Sequence, residues 1–220
     1  REEEHDAFLN WLVDTLAEQQ TDVLLIAGDV FDVANPSASA QRRFFHFLKE
    51  ANRRSPHLQV IVVAGNHDSA ARLESPIPLL EELNTSIVGI IRRTESGEID
   101  FDSLVIPLYN KEKKREGWCL AVPYLRQGDY PASEETHDTY IAGINRMYRQ
   151  LYDYADARRQ PGEALVAMGH LHATGAELSD DDRSERIIMG GLESVSSDTF
   201  DEGLAYTALG HIHKAQRIGG

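Results

Sequence analysis

"LQVIVVAGNHD", residues 58–68, is the stretch that decides how the fold of this chain is interpreted. Its apolar run, rich in valine and isoleucine, is typical of a strand that is buried on both faces. A glycine ends the run, and an amide, an imidazole and a carboxylate follow it at Asn66, His67 and Asp68. Reactive side chains therefore stand at the end of a buried strand.

Length and composition limit the domain count, the location and the classes of partner. The chain has 220 residues, 41% of them hydrophobic, so we expect one domain over residues 1–220. A single cysteine, Cys119, excludes an internal disulfide framework and favours the cytoplasm. No apolar run approaches the roughly 20 residues that span a membrane. The net charge of -14 argues against unaided binding of nucleic acid, so a polyanionic substrate would need metal ions, a local basic patch or a partner.

The sequence alternates helices with short apolar strands. Up to residue 65, the pattern predicts helices at 4–19 and 37–51 and strands at 22–29 and 58–65. The core-facing side of the first helix is expected to carry Phe8, Leu9, Leu12 and Leu16. Later runs predict a long helix at 133–158 and strands at 85–91, 163–170, 186–191 and 204–213. We therefore expect a mixed α/β fold with parallel strands and more than one sheet.

Four strand-like runs share one feature, a terminal glycine followed by side chains that can bind metal. They are "IAGDVFD" at 26–32, "VAGNHD" at 63–68, "AMGHLH" at 167–172 and "ALGHIH" at 208–213. Because the carboxyl ends of parallel strands meet at one edge of a sheet, the four can build one pocket. Carboxylates, an amide and imidazoles suit Mn²⁺, which we favour, or Mg²⁺, Fe²⁺ or Zn²⁺. Two such ions about 3.5 to 4 Å apart would support phosphoester hydrolysis.

Each motif also has a plainer interpretation. An aspartate after a strand, such as Asp29 or Asp32, usually stabilises a turn or caps a helix, and Asn66 is a common turn former. An isolated histidine, such as His5 or His46, is usually a surface or packing residue. Since the same placement recurs after four separate glycine-ended strands, the combination favours a site over chance.

In their order along the chain, GD-x-x-D, GNHD, GH and GHIH resemble the later motifs of the calcineurin-like metallophosphoesterases. Longer stretches resemble the bacterial SbcD nuclease subunit family: "GDVFDVANPSASAQRRF" at 28–44, "VPYLR" at 122–126 and "ALGHIHKAQRI" at 208–218. Val33 stands where related protein phosphatases carry an arginine. The resemblance implies an α/β fold, a two-sheet β-sandwich flanked by helices, with the metal site at the carboxyl ends of strands.

The resemblance also implies which residues bind the two ions. Asp29 would bridge them. Asn66, His170 and His211 would complete one ion, and His213 would belong to the other.

The remaining motif residues would act around the ions. His67 would contact the phosphate and act on the leaving oxygen, because the pKa of histidine lies near working pH. Asp32 and Asp68 would orient imidazoles or water, or would merely stabilise turns. His172 is expected to line the pocket.

The chain departs from the family at two places. The family opens with a strand that ends in D-x-H and supplies further ligands to the ion of His213, whereas "EEHDAF" at 3–8 lies on a predicted helix. A capping region and helices that bind the SMC-like ATPase SbcC are also expected after "HKAQRIGG". Either the missing ligands are encoded before Arg1, or one ion is bound poorly. Taken literally, residues 1–220 are expected to be a nuclease domain that lacks its first strand and its partner-binding region, with incomplete metal occupancy and little activity.

Three functions of different classes stay open at this point. The first is a metal-dependent nuclease subunit that cleaves DNA ends and hairpins with SbcC, as a homodimer joined through helices near the amino terminus. The second is another phosphoesterase, such as a protein or cyclic-nucleotide phosphatase. The third is a non-catalytic scaffold with one metal position empty.

Overall fold

The computed structural model describes residues 2–132, 140–173, 176 and 194–218. The helices are α1 (Glu2–Glu18), α2 (Ala38–Arg54), α3 (Ala70–Glu74), α4 (Ile77–Leu80) and α5 (Tyr140–Asp156). The strands are β1 (Val23–Ala27), β2 (Gln59–Val63), β3 (Thr85–Val88), β4 (Val105–Tyr109), β5 (Arg115–Ala121), β6 (Ala164–His170) and β7 (Tyr206–Gly210). Short 3-10 turns lie at Glu81–Leu83, Phe101–Ser103 and Ser197–Thr199. Over these described residues, no helix is both long and apolar enough to cross a membrane.

The strands form two sheets, as expected. One sheet has the order β1-β2-β3 and is parallel throughout. The other has the order β4-β5-β6-β7, in which β4 runs antiparallel to β5 and the rest are parallel. β1 and β2 contact β5, β6 and β7 across the interface, and α5 packs on β5 and β6. The predicted mixed α/β sandwich with flanking helices is confirmed.

β2 shows why the apolar run at its centre specifies this layering. All five of its residues are buried. Ile61 and Val63 point into the core between the sheets, while Val60 and Val62 pack with residues of α1 and α2. Each of these side chains contributes roughly 1.5 to 3 kcal/mol when it is fully buried. A strand buried on both faces therefore needs a helix layer on one side and a second sheet on the other.

The prediction for the buried face of α1 was partly wrong. The buried residues of α1 are Val13 and Leu16, whereas Phe8 is 55% exposed. Phe8 instead contacts the ring of Trp11, with 5.7 Å between the ring centroids. The buried stripe of the helix lies to one side of Phe8, because Val13, which the sequence did not single out, is closer to its centre.

Two other segments differ from what their sequence suggests. The charged stretch "KEKKREG" at 111–117 is typical of a loop, but β5 begins at Arg115. Arg115 Nε donates to the Glu163 carboxylate at 2.6 Å, and its guanidinium lies 4.6 Å from the Trp118 ring centroid, so the charge is paired within the sheet. The strand predicted at 204–213 is limited to β7. The strand predicted at 186–191 and the first part of the helix at 133–158 lie outside the described residues.

Candidate metal centre

Four strand ends meet where the two sheets converge. β1 contacts β6 and β7 across the sandwich. Asp29 follows β1, Asn66 follows β2, His170 is the last residue of β6, and His211 directly follows β7. The topology therefore brings together four side chains that are up to 182 residues apart in a chain of 220.

These side chains form a compact set of donor atoms. Asp29, His170 and His211 each offer a ligand atom within 4.8 Å of the others. Asn66 Oδ1 lies 2.9 Å from His170 Nε2 and 3.1 Å from His211 Nδ1. Two imidazole nitrogens, a carboxylate and an amide oxygen are a donor set that fits a divalent transition-metal ion.

The environment of His170 tests that fit. His170 Nδ1 lies 2.8 Å from the Ala27 carbonyl oxygen, so this nitrogen carries the hydrogen of the neutral ring and donates it. His170 Nε2 then turns a lone pair toward Asn66 Oδ1 and toward Asp29 Oδ2, which is 3.1 Å away. Three acceptors this close repel one another unless a cation, either a proton or a metal ion, lies among them. A backbone carbonyl that fixes the tautomer of a ligating histidine is a common feature of metal sites.

Backbone conformation orients two of the candidate ligands. Asp29 and His211 have φ values of 48° and 91°, in the left-handed region that non-glycine residues seldom adopt. Such strain concentrates at functional sites, where surrounding contacts maintain it. Gly28, at φ 90°, precedes Asp29, and a Cβ atom added there would overlap His170 Nδ1. Glycine is thus required for the close approach of the β1 end to His170.

The charge of Asp29 depends on its neighbours. Burial, the largest single influence, works to raise the pKa of Asp29. When a proton lies on His170 Nε2, the hydrogen bond and charge of that ring, with the backbone hydrogen bond and the charge of His67, oppose burial and bring the pKa of Asp29 below its ordinary value. Asp29 is therefore a carboxylate at neutral pH, the form that binds metal.

Asp68 joins the loops that follow β1 and β2. Its side chain is buried, and its Oδ2 accepts hydrogen bonds from Gly65 N at 2.9 Å and Val30 N at 3.1 Å. Its Oδ1 accepts a third from Phe31 N at 3.0 Å. These contacts with backbone amides support the turn-stabilising alternative for Asp68 rather than contact with an imidazole.

His67 is held beside the cluster by two contacts. Its backbone N–H donates to Asp29 Oδ1 at 3.0 Å. Its ring Nδ1 lies 2.9 Å from the backbone carbonyl oxygen of Asp32, to which it donates. Nε2 of the neutral ring is then the nitrogen that can accept or return a proton. Asp32 contributes through this carbonyl, while its side chain is exposed.

The other two predicted histidines lie at the margin. Among the residues that the structure describes, the carboxylate and imidazole groups close enough to share an ion are those of Asp29, His170 and His211. His213 is exposed and outside this group, so its role as a ligand of a second ion stays a prediction. His172 is half-buried, with its ring centroid 6.4 Å from that of His211, consistent with a residue that lines the pocket.

Two participants were not predicted from the sequence. One is the Ala27 carbonyl, which no side-chain pattern can reveal. The other is Tyr124, whose ring centroid is 6.2 Å from that of His170. Tyr124 belongs to the "VPYLR" stretch, which marked the family resemblance but did not indicate a place in the site.

Comparison with known proteins agrees with this geometry. Residues 1–215 match the family model described as calcineurin-like phosphoesterase. The chain is 39% identical over 226 residues to the SbcD component of the nuclease SbcCD from Rhodobacter capsulatus, and 35% identical over 233 residues to that from Escherichia coli K12. Both matches cover 100% of this chain but 55% and 53% of the relatives, so the chain spans about half their length. The resemblance noted from the motifs is confirmed.

Proposed function

Because this chain belongs to the calcineurin-like phosphoesterases, we propose that it hydrolyses the phosphodiester bonds of DNA as a metal-dependent nuclease subunit of the SbcD kind. The observation that carries the proposal is the convergence of Asp29, Asn66, His170 and His211 at four strand ends. The similarity to nuclease subunits over the whole chain indicates the substrate class.

We assign two divalent ions, with Mn²⁺ preferred, to the motif residues. Asp29 would bridge them, Asn66, His170 and His211 would hold one, and His213 would contribute to the other. When bound, such ions supply Lewis acidity to the phosphoryl group and activate water. The assignment of the first ion is supported by the donor atoms of Asp29, His170 and His211, which lie within 4.8 Å of one another.

His67 is proposed as the residue that handles the proton of the leaving oxygen. Its Nδ1 contact with the Asp32 carbonyl fixes the ring tautomer, and its backbone bond to Asp29 keeps the ring at a constant place relative to the cluster. A positioned imidazole of this kind contributes about 10² to 10⁴ in rate as a general acid or base. Asp68 supports the arrangement by joining the two loops that carry Asp29 and His67.

A further strand is proposed to complete the site. β1 is an edge strand among the described residues, yet all five of its residues are apolar and only half-buried. Parallel strands of this composition are normally covered on both sides, and exposed edges invite pairing. A strand that pairs with β1 and ends in D-x-H would add ligands beside His213. We expect residues 1–220 alone to hold the second ion weakly and to cleave DNA slowly.

The proposed partners are DNA, the ATPase SbcC and a second copy of the chain. The relatives are named as components of SbcCD, which supports a two-component assembly. A net charge of -14 leaves phosphate binding to metal ions and a partner. For the homodimer, the supporting feature is the adjacent pair Phe8 and Trp11 on the amino-terminal helix α1, whose side chains are 55% and 58% exposed.

The function is tested by metal removal from the full-length protein. We expect cleavage of a DNA hairpin and of duplex ends in Mn²⁺, abolition by a chelator, and recovery when Mn²⁺ is returned. Bound metal, measured by elemental analysis, should fall and recover in parallel. Asp153→Asn, at an exposed position on α5, serves as a control that changes neither quantity.

The alternatives predict different results from the same preparation. Hydrolysis of a nitrophenyl phosphate ester without any cleavage of DNA would favour a protein or cyclic-nucleotide phosphatase. Absence of both hydrolysis and metal uptake would contradict an enzymatic role and favour a scaffold.

A further inference from the structure

Tyr124 lies beside the metal centre but has no part in the mechanism above. It stands three residues beyond the end of β5, which runs parallel to β6 and therefore ends near His170. The rings of Tyr124 and His170 meet edge to face at an interplanar angle of 77°, with their centroids 6.2 Å apart. An aromatic ring thus borders an imidazole that is assigned to an ion.

The backbone around Tyr124 is anchored on three sides. The anchoring hydrogen bonds run from Tyr124 N to the Ala64 carbonyl at 2.8 Å, from the Tyr140 hydroxyl to the Leu125 carbonyl at 2.9 Å, and from Arg126 N to the Asp129 carboxylate at 2.7 Å. Ala64 is two residues before the ligand Asn66, so the first bond ties this segment to the centre itself. The backbone that carries the ring is consequently preorganised, which reduces the entropy lost on binding.

Tyr124 offers the kind of surface that a nucleobase requires. The residue is half-buried and adjoins His170, so it lies at the rim of the centre and not in the core. A base lies one sugar away from its phosphate, so a base attached to a phosphodiester at the centre reaches this rim. Stacking on an aromatic ring needs no positive charge, and it accepts every base because each has a π face. This matters in a chain whose net charge of -14 opposes phosphate binding.

We infer that Tyr124 is a substrate-binding residue, on which a base of single-stranded or frayed DNA stacks while the adjoining phosphodiester occupies the metal centre. The inference rests on the proposed nuclease function and extends it. It assigns part of substrate binding to a residue outside the metal-binding motifs.

The test compares normal and base-free substrates with the full-length protein. Tyr124→Ala and Tyr124→Phe are assayed in Mn²⁺ on a single-stranded oligonucleotide and on the same oligonucleotide with abasic sites around the scissile phosphate. Loss of one stacked base should raise the KM of Tyr124→Ala by about 5- to 100-fold on the normal strand. Its kcat, its bound Mn²⁺ and its KM on the abasic strand should match the wild type. Tyr124→Phe should restore the normal KM, because the ring is sufficient.

Each other outcome overturns the inference in an identifiable way. Equal losses on both strands, together with reduced Mn²⁺ binding, would show that Tyr124 only supports His170. An unchanged KM would exclude stacking. If Tyr124→Ala does not fold, Tyr124→Leu replaces it, since leucine fills much of the space without a π face. Tyr206→Ala, at an exposed position at the start of β7, controls for the loss of an aromatic ring elsewhere. A wild type that hydrolyses nitrophenyl esters but not DNA would refute the proposed function as well.

Discussion

The two halves of the metal centre are organised differently. In the first sheet, the loops after β1 and β2 are linked to each other: Asp68 accepts three backbone hydrogen bonds, and His67 donates to Asp29 and to the Asp32 carbonyl. In the second sheet, the two candidate ligands are held by contacts with the opposite half. His170 donates to the Ala27 carbonyl, and His211 is held by Asn66 and by a left-handed backbone.

The difference indicates that the second sheet depends on the first for the positions of its metal-site residues. Changes in the loops of the first sheet should disturb both halves, because that sheet supplies the anchors for His170 and His211. Changes confined to the second sheet should leave the β1 and β2 loops intact. Substitutions at the junction between the halves can therefore separate loss of metal from loss of catalysis.

The largest effect is expected from Asp29, which touches both halves. Asp29→Ala removes the partner of His170 and the acceptor of the His67 N–H. We expect bound Mn²⁺ to be lost and kcat/KM for DNA to fall by more than about 10⁴-fold. A factor of about 10⁴ is the upper end of the loss that removal of a general acid or base causes.

Asp32→Ala is the matched control for Asp29→Ala, because it lies in the same loop, has an exposed side chain and acts through a carbonyl that alanine retains. In Asp32→Ala, kcat/KM should fall by no more than about 10- to 100-fold, which is the contribution of groups that orient ligands. Retained Mn²⁺ in Asp29→Ala would contradict the assignment of Asp29 as a shared ligand.

Substitution of His67 should reduce catalysis without reducing metal binding. In His67→Ala, the backbone bond to Asp29 is kept and only the ring is removed. We expect kcat to fall by about 10² to 10⁴, with the Mn²⁺ affinity within about threefold of the wild type.

His46→Ala, at an exposed position on α2, is the control for His67→Ala and should be unchanged. A parallel loss of metal in His67→Ala would instead make this histidine a ligand, and it would remove the distinction between binding and proton transfer.

Gly28 tests the junction between the sheets. Alanine there adopts an unfavourable left-handed backbone, and its Cβ overlaps the Nδ1 of His170, which must leave the Ala27 carbonyl. We expect the affinity for Mn²⁺, measured by titration calorimetry, to fall by about 10- to 100-fold, as it does when a supporting partner of a ligand is lost.

Gly162→Ala provides a close control, because Gly162 has the same φ of 90° but nothing within 4 Å of the added Cβ. Both variants should lose about 1 to 2 kcal/mol of unfolding free energy through backbone strain alone. If Gly162→Ala lowered the Mn²⁺ affinity equally, the effect would come from global destabilisation and not from displacement of His170.

The sequence was sufficient to predict the layers and the convergence of Asp29, Asn66, His170 and His211, because both depend on patterns that can be recognised along the chain. The run at Val60–Val63 is apolar at every position, which requires cover on both faces, and a glycine with donors after it marks each strand end. For Asp68 the sequence left two alternatives open, because the partners that distinguish them are backbone amides that any residue supplies. The exposure of Phe8 was missed because its apolar neighbours on the helix face do not reveal that this position of α1 is left uncovered.

Asp68 gives the smallest expected effect and tests whether the first sheet is the organising half. Asp68→Asn keeps the shape and one acceptor oxygen but removes the charge that strengthens the bonds to Gly65, Val30 and Phe31. We expect the free energy of unfolding, from urea titration, to fall by about 1 to 2 kcal/mol, and kcat and the Mn²⁺ affinity to fall together. The loops that Asp68 joins carry His67 and also Asp29 and Asn66, so a change there reaches both catalysis and metal binding. Asp153→Asn, at an exposed position, should change stability by no more than about 0.5 kcal/mol. An equal change in the two variants would mean that the loops of the first sheet hold their conformation without Asp68.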